Sequence, residues 1–296
     1  MGSLGNAHIL LEEYESAVQY LEESLTIAEE IGLSRGHENS LESLGTAYHR
    51  QGNYEQAIVY YEESLKIARQ KQDSYWESKT LRSLGNLYSI LENFDSAVDC
   101  YHKSIDISHK LLELTGEEAA LAHLGTLYHE IGDFVKAIEC FERSLKISEE
   151  LKDIEAQGEY LEDLGEAYYN LEEYDRAIDY FQQSLAKRKE INHQQGEVLV
   201  NLGLVKEALE EYTQAIDFYE QSLVIANNIN DPSIKFNALV NLGDVYYDLN
   251  NLKNAVECYQ QSLPLIRDMG DSQNELIVLE KLELAQTSLN DGNKST

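Results

Sequence analysis

The chain has 296 residues, a net charge of −31, two prolines and three cysteines, so it suits one large or two ordinary domains with long unbroken helices. The charge argues against a general nucleic-acid binder, which needs a basic surface to displace counterions, and against docking on anionic membranes. No apolar run approaches the ~18 residues of a bilayer span and there is no secretory h-region, which together place the chain in the cytoplasm.

A glycine after leucine recurs at Gly5, Gly45, Gly85, Gly125, Gly165, Gly203 and Gly243, in steps of 40 apart from one of 38. A fixed period of this size marks a stack of repeated units. Each glycine is taken as offset zero. Around it, Leu at −1 and usually Tyr at +3 share one face of a first helix. Leu44 and Tyr48, Leu84 and Tyr88, Leu124 and Tyr128, Leu164 and Tyr168, and Leu242 and Tyr246 show the pattern. A second helix follows, with an apolar stripe that unit two states most fully: Tyr54, Ala57, Ile58, Tyr61, Ser64 and Leu65.

Along the chain the units differ in informative ways. Unit one begins only four residues before Gly5, so its first helix is expected to be truncated; "MGS" reads as an expression remnant, and the chain as a piece of a longer protein. Unit two turns through Gly52-Asn53, unit four through Gly132-Asp133 and unit seven through Asn250-Asn251, all suited to a left-handed residue followed by a cap. Units three, five and six carry Glu92, Glu172 and Glu210 there, which predicts poorer turns. Polar breaks between units are expected at Asp73-Ser74, Thr115-Gly116, Asp231-Pro232-Ser233 and Gly270-Asp271-Ser272. Lys187-Arg188-Lys189 interrupts the apolar pattern of unit five, and two residues are missing, most simply after His193. That junction reads either as a cationic helix end or as a hinge. Residues 274–289 read as a capping helix with a polar outer face, and 290–296 as a disordered tail.

The "LG..Y" of the first helix and the "Y..A(I/V)..Y..SL" of the second resemble the tetratricopeptide repeat family over about residues 1–289. The forty-residue unit is similar to the variant in Pins-type spindle-orientation adaptors and many bacterial signalling proteins. His8 and Lys206 depart from the +3 Tyr, and Leu252 from the +9 aromatic. The resemblance implies an all-α, right-handed superhelical solenoid of about seven helix-turn-helix repeats plus the C-terminal cap.

Chemistry-bearing motifs are sparse. Cys100, Cys140 and Cys258 all fall at +15, where other units place Tyr or Phe, so they read as packing residues. No zinc spacing, phosphate loop or nucleophile elbow appears, and no cofactor or catalytic role is expected. The resemblance implies instead a concave face, formed by first-helix residues off the Leu/Tyr stripe, that holds an extended peptide. The candidate partner-binding residues are Arg50, Lys79, Arg82, Asn86, His123 and His129 in a neutral-to-basic stretch. Glu162, Glu166, Tyr169, Asn201, Asn241, Asp244 and Tyr247 follow in an acidic, aromatic one. That split predicts a protein or peptide partner with basic residues facing the C-terminal half. Asn86 matches the first position of the family's carboxylate clamp, but His123 stands where Asn belongs, so the clamp is broken. Rival readings are a sensor arm of a larger signalling protein and end-to-end self-association. Tyr75-Trp76 is a departure that the repeat does not require, read as local packing or as a contact hot spot.

Overall fold

The computed structural model describes residues 2–32, 34–191 and 195–294, and among these it is helical with no strand. Fifteen helices occur in the described residues. The first fourteen pair into hairpins: α1 (Gly2–Leu10) with α2 (Tyr14–Glu30), α3 (Ser34–Arg50) with α4 (Tyr54–Lys71), α5 (Ser74–Ile90) with α6 (Phe94–Leu111), α7 (Leu114–Glu130) with α8 (Phe134–Leu151). There follow α9 (Ile154–Asn170) with α10 (Tyr174–Glu190), α11 (Gln195–Ala208) with α12 (Tyr212–Ile229), and α13 (Pro232–Asp248) with α14 (Leu252–Met269). The last helix is α15 (Ser272–Lys294). The hairpins fall into two compact units, Met1–Leu151 and Lys152–Thr296.

Within a hairpin the glycine at zero faces the ring at +16. A Cβ built there would stand 2.6 or 2.7 Å from a ring carbon of Tyr61, Tyr101, Phe141, Phe181 or Tyr259. Real carbons do not approach so closely, so only glycine lets the two helices meet at this distance. The serine at +19 adds a polar tie. Ser104 donates to the Ser78 carbonyl at 2.9 Å, Ser184 to that of Gly158 at 2.8 Å and Ser222 to that of Gly196 at 2.8 Å. Each serine is buried, and the bond satisfies its hydroxyl.

Between hairpins, a different face of the first helix is used. Ala238, Leu242 and Val245 pack on Ala215 and Tyr219 of the hairpin before. Val278, Leu282 and Ala285 of α15 repeat that contact on Ala255, Tyr259 and Ile266. Two faces of one helix thus serve two neighbours, which is why single hairpins do not stand alone.

All seven turns adopt the left-handed conformation, including those with glutamate: Glu92 has φ 56°, Glu172 61° and Glu210 59°, beside 76° for Gly52. The packing enforces the turn on residues that disfavour it. The break expected at Thr115-Gly116 is corrected. Leu112 takes the left-handed position (φ 55°) and α7 already runs from Leu114, so Gly116 lies in its first turn, close under Ser108. The capping helix is longer than expected at both ends, running from Ser272 to Lys294; nothing in 290–294 forbids a helix, and only 295–296 of the expected tail lie outside the described residues. Its outer face is not polar either, since Leu276, Leu279 and Leu284 are exposed. Glu283 stands at the glycine offset, and a side chain there blocks a regular ring-bearing second helix. The two-residue deletion after His193 falls in 192–194, outside the described residues.

Two stability tests follow. Glu172→Gly should raise the melting free energy by about 1 kcal/mol, since glycine bears no left-handed penalty. Gly85→Ala should lower it by about 1–3 kcal/mol through overpacking against Tyr101. Chemical denaturation of each variant checks both.

Candidate functional site

In each unit the first helices stand side by side, and polar side chains cross between them. In the first unit Lys79 donates to Glu42 at 2.8 Å and lies 4.5 Å over the Trp76 ring. Asn86 accepts from the Tyr101 hydroxyl at 2.7 Å and sits 3.4 Å from Nε2 of His123. His123 Nδ1 faces the Ala119 carbonyl at 2.6 Å, so Nδ1 carries the proton and Nε2 accepts from Asn86. Burial, against that bond and with the charge of Arg82, lowers the His123 pKa. Arg50 is exposed at the end of α3, and His129 packs edge-on against Phe134 at 5.3 Å.

The second unit holds a denser cluster. Glu162 is buried and ion-paired with the equally buried Arg188. Asn201 donates to Glu162 at 3.1 Å and to Glu166 at 3.2 Å. Asp163 and Glu162 are each raised to about 7, chiefly by burial and then by the neighbouring carboxylates, with Arg188 opposing. Glu162, Glu166, Glu197, Val200, Asn201, Ile234 and Asn237 line an open groove of about 290 Å³. Asp244 accepts from the Tyr259 hydroxyl at 2.7 Å and from Lys281 at 2.5 Å. Tyr169 leans on Tyr174 at 5.8 Å, and Tyr247 and Asn241 are half-buried.

Several expected contact residues are therefore already engaged within the fold. Glu162, expected among the partner-binding residues, is buried as the counter-ion of Arg188. Asn86 and Asp244 at +1 receive the hydroxyl of the +16 tyrosine, as Thr46 does from Tyr61 at 3.1 Å. Unit six departs from that pairing: Leu204 stands at +1, and the Tyr219 hydroxyl donates to Glu207 at 2.8 Å instead. Asn201 and Asn241 share an offset but differ in fate. Register sets Asn201 beside Glu162 and Glu166, whereas the residues of unit six at those two offsets are Val200 and Leu204, which carry no side-chain acceptor.

Arg188 stands in the cationic last turn of α10 but is buried rather than solvated, and residues 192–194 of the expected hinge lie outside the described residues. Five other units place a small residue at the Arg188 offset (Ala28, Ala68, Ser108, Ser148 and Ala226) and unit seven places Ile266; the volume of Arg188 is matched by Gly158, whose Cβ would lie 3.2 Å from Arg188 Cγ. The paired signals, a large residue at +23 and glycine at −7, both stand in the sequence. The cysteines are buried and unpaired, with thiols raised to about 11 by burial, which suits packing rather than nucleophilic work. Trp76 is buried too, while Tyr75 stays half-exposed. No cluster of three or more potential metal ligands occurs, and no helix is long and apolar enough to cross a membrane, among the described residues.

Residues 1–70, 37–110, 117–190 and 193–290 match a tetratricopeptide repeat family model, and the chain belongs to that family. Solved structures of similar fold include BtubC from P. vanneervenii, 20% identical with TM-score 0.65, covering 74% of this chain and 92% of that one. The apo form of RapI is 14% identical with TM-score 0.62, over 87% and 99%. PilF of Pseudomonas aeruginosa is 17% identical with TM-score 0.58, over 82% and 97%. At these identities the likeness concerns fold alone. No curated protein matches.

The acidic cluster makes a signed prediction. Asp163 and Glu162 hold protons more tightly folded than unfolded. Their contribution to stability is therefore full at acid pH and lost as pH rises from about 4 toward about 7. Asp163→Asn should stabilise the chain at pH 8 and leave it nearly unchanged at pH 3, below the unfolded carboxyl's range; equal shifts in melting temperature at both would contradict this. Arg188→Met should cost about 3–5 kcal/mol at pH 8, because it strands a buried carboxylate, and adding Glu162→Gln should recover most of that loss.

Proposed function

We propose that the chain is a non-catalytic interaction module that holds an extended segment of a partner protein on the face formed by its first helices. The observation that carries this reading is the open groove of the second unit. Its walls are carboxylates from α9 and α11, and its floor is Val200 and Ile234. Such a site suits a lysine or arginine whose aliphatic stem packs while its head meets charge. Glu166 and Glu197 supply that charge, since Glu162 is spent on Arg188. Asn241 offers its amide to a peptide backbone, and Tyr169 and Tyr247 give rigid contact area at low entropic cost. Family membership supports a protein partner in general; the basic character of the partner rests on the groove.

The test is selection from an unbiased peptide library at low and at physiological salt. Lys- or Arg-bearing peptides should be retained, and Glu166→Gln with Glu197→Gln should weaken them by about tenfold or more. Hits indifferent to both substitutions would move the binding face elsewhere.

A further inference from the structure

A second pocket, of about 120 Å³, lies in the first unit between the opening turns of α5 and α7. Tyr75, Ser78, Lys79 and Arg82 line it from α5, and Glu113, Thr115 and Gly116 from the start of α7. Its chemistry is opposite to that of the acidic groove.

Arg82 is half-buried, and among the described residues its one hydrogen bond is a long one, from Nη1 to the Gly116 carbonyl at 3.5 Å. Arg69, Arg143, Arg176, Arg188 and Arg267 each reach a carboxylate. Among the described residues Arg82 reaches none at ion-pair distance, although its charge is felt by Glu42, in a chain of net charge −31. Desolvating a guanidinium while most of its donors stay unused is costly unless something else fills them. Lys79, one turn earlier, is oriented by Glu42 and the Trp76 ring. The start of α7 adds donors. Aspartate caps α5, α9, α13 and α15 by accepting from Trp76, Ala156, Ile234 and Asn274 amides at 3.2, 3.0, 3.0 and 3.0 Å. Glu113 holds that position before α7 and makes no such bond. Its carboxylate takes the Thr115 hydroxyl instead and lies over Gly116, where any side chain would collide with it.

We propose that this pocket receives an anionic side chain of a partner protein, a carboxylate or a phosphate monoester, held by Arg82 and Lys79 with the open amides of α7. Glu113 is the resident anion that the incoming group displaces, and Tyr75 forms the exposed wall. The pocket deepens the reading of the first-helix face as the binding face, giving the partner an acidic or phosphorylated residue here besides the basic one on the second unit.

Trp76 is the chain's single tryptophan and carries Lys79 over its ring, so it reports on the pocket. N-acetyl-Gly-phosphoserine-Gly-amide, its aspartate counterpart and its alanine counterpart would be titrated at low salt, following tryptophan fluorescence. A saturable change is expected with the phosphoserine or the aspartate peptide and none with alanine; which anion works names its source. Arg82→Gln should weaken binding by about tenfold, with Arg82→Lys intermediate, while Glu113→Gln should tighten it several-fold. Glu113→Gln keeps the test open even where an Arg82 variant unfolds, which melting curves would reveal. No saturable change with either anionic peptide, or affinity indifferent to both positions, overturns the proposal. Neither result depends on Glu166 or Glu197, so failure here and failure of the basic-peptide selection are separately visible.

Discussion

Each hairpin depends on a missing side chain. The glycine at offset zero lets the +16 ring lie against the backbone of the partner helix, and the rest of the unit is arranged around that contact. With the helices so close, the +19 hydroxyl reaches a backbone carbonyl on the first helix. The turn must then close in a fixed geometry, which even glutamate adopts at Glu92, Glu172 and Glu210. Helix α15 departs from the pattern: Glu283 occupies the glycine offset, and Leu279 and Leu284 stay exposed while Leu282 packs on the last hairpin.

Close packing on one face leaves the opposite rows of the first helices free to vary, and there the two units diverge. The first carries Lys79, Arg82 and a linked Asn86–His123 pair. The second concentrates carboxylates around one buried arginine. Burying Arg188 against Glu162 is not a strong source of stability, because desolvation offsets most of the attraction. What it does is tie α10 to α9, while Asn201 of α11 bonds both Glu162 and the half-buried Glu166, and Glu197 stays exposed.

The period and the Leu/Tyr stripe of the first helix were legible because they recur: seven copies of a spacing average out local noise. The groove was legible only as a set of offsets. Sequence offsets say which residues leave the Leu/Tyr stripe, but not which find partners across 35 to 39 residues, as Asn201 does with Glu166 and Glu162. Glu162, expected to face a partner, is thus found buried against Arg188. The break before α7 was misplaced because Gly116 looked like a turn residue, whereas its lack of a side chain makes room for Ser108 and Glu113. Leu112, an apolar residue in a left-handed position, carries no sequence signal for a turn.

The most direct test of the binding face is site-specific photo-crosslinking. A photoreactive residue would replace Asn39 or Asn237, exposed on first helices, or Val59 or Val224, exposed on second helices. Peptides selected from the library, and partner protein from cell extract, would then be irradiated with each variant. Adducts at Asn39 and Asn237 without adducts at Val59 and Val224 are expected. The reverse pattern would contradict a binding face built from the first helices.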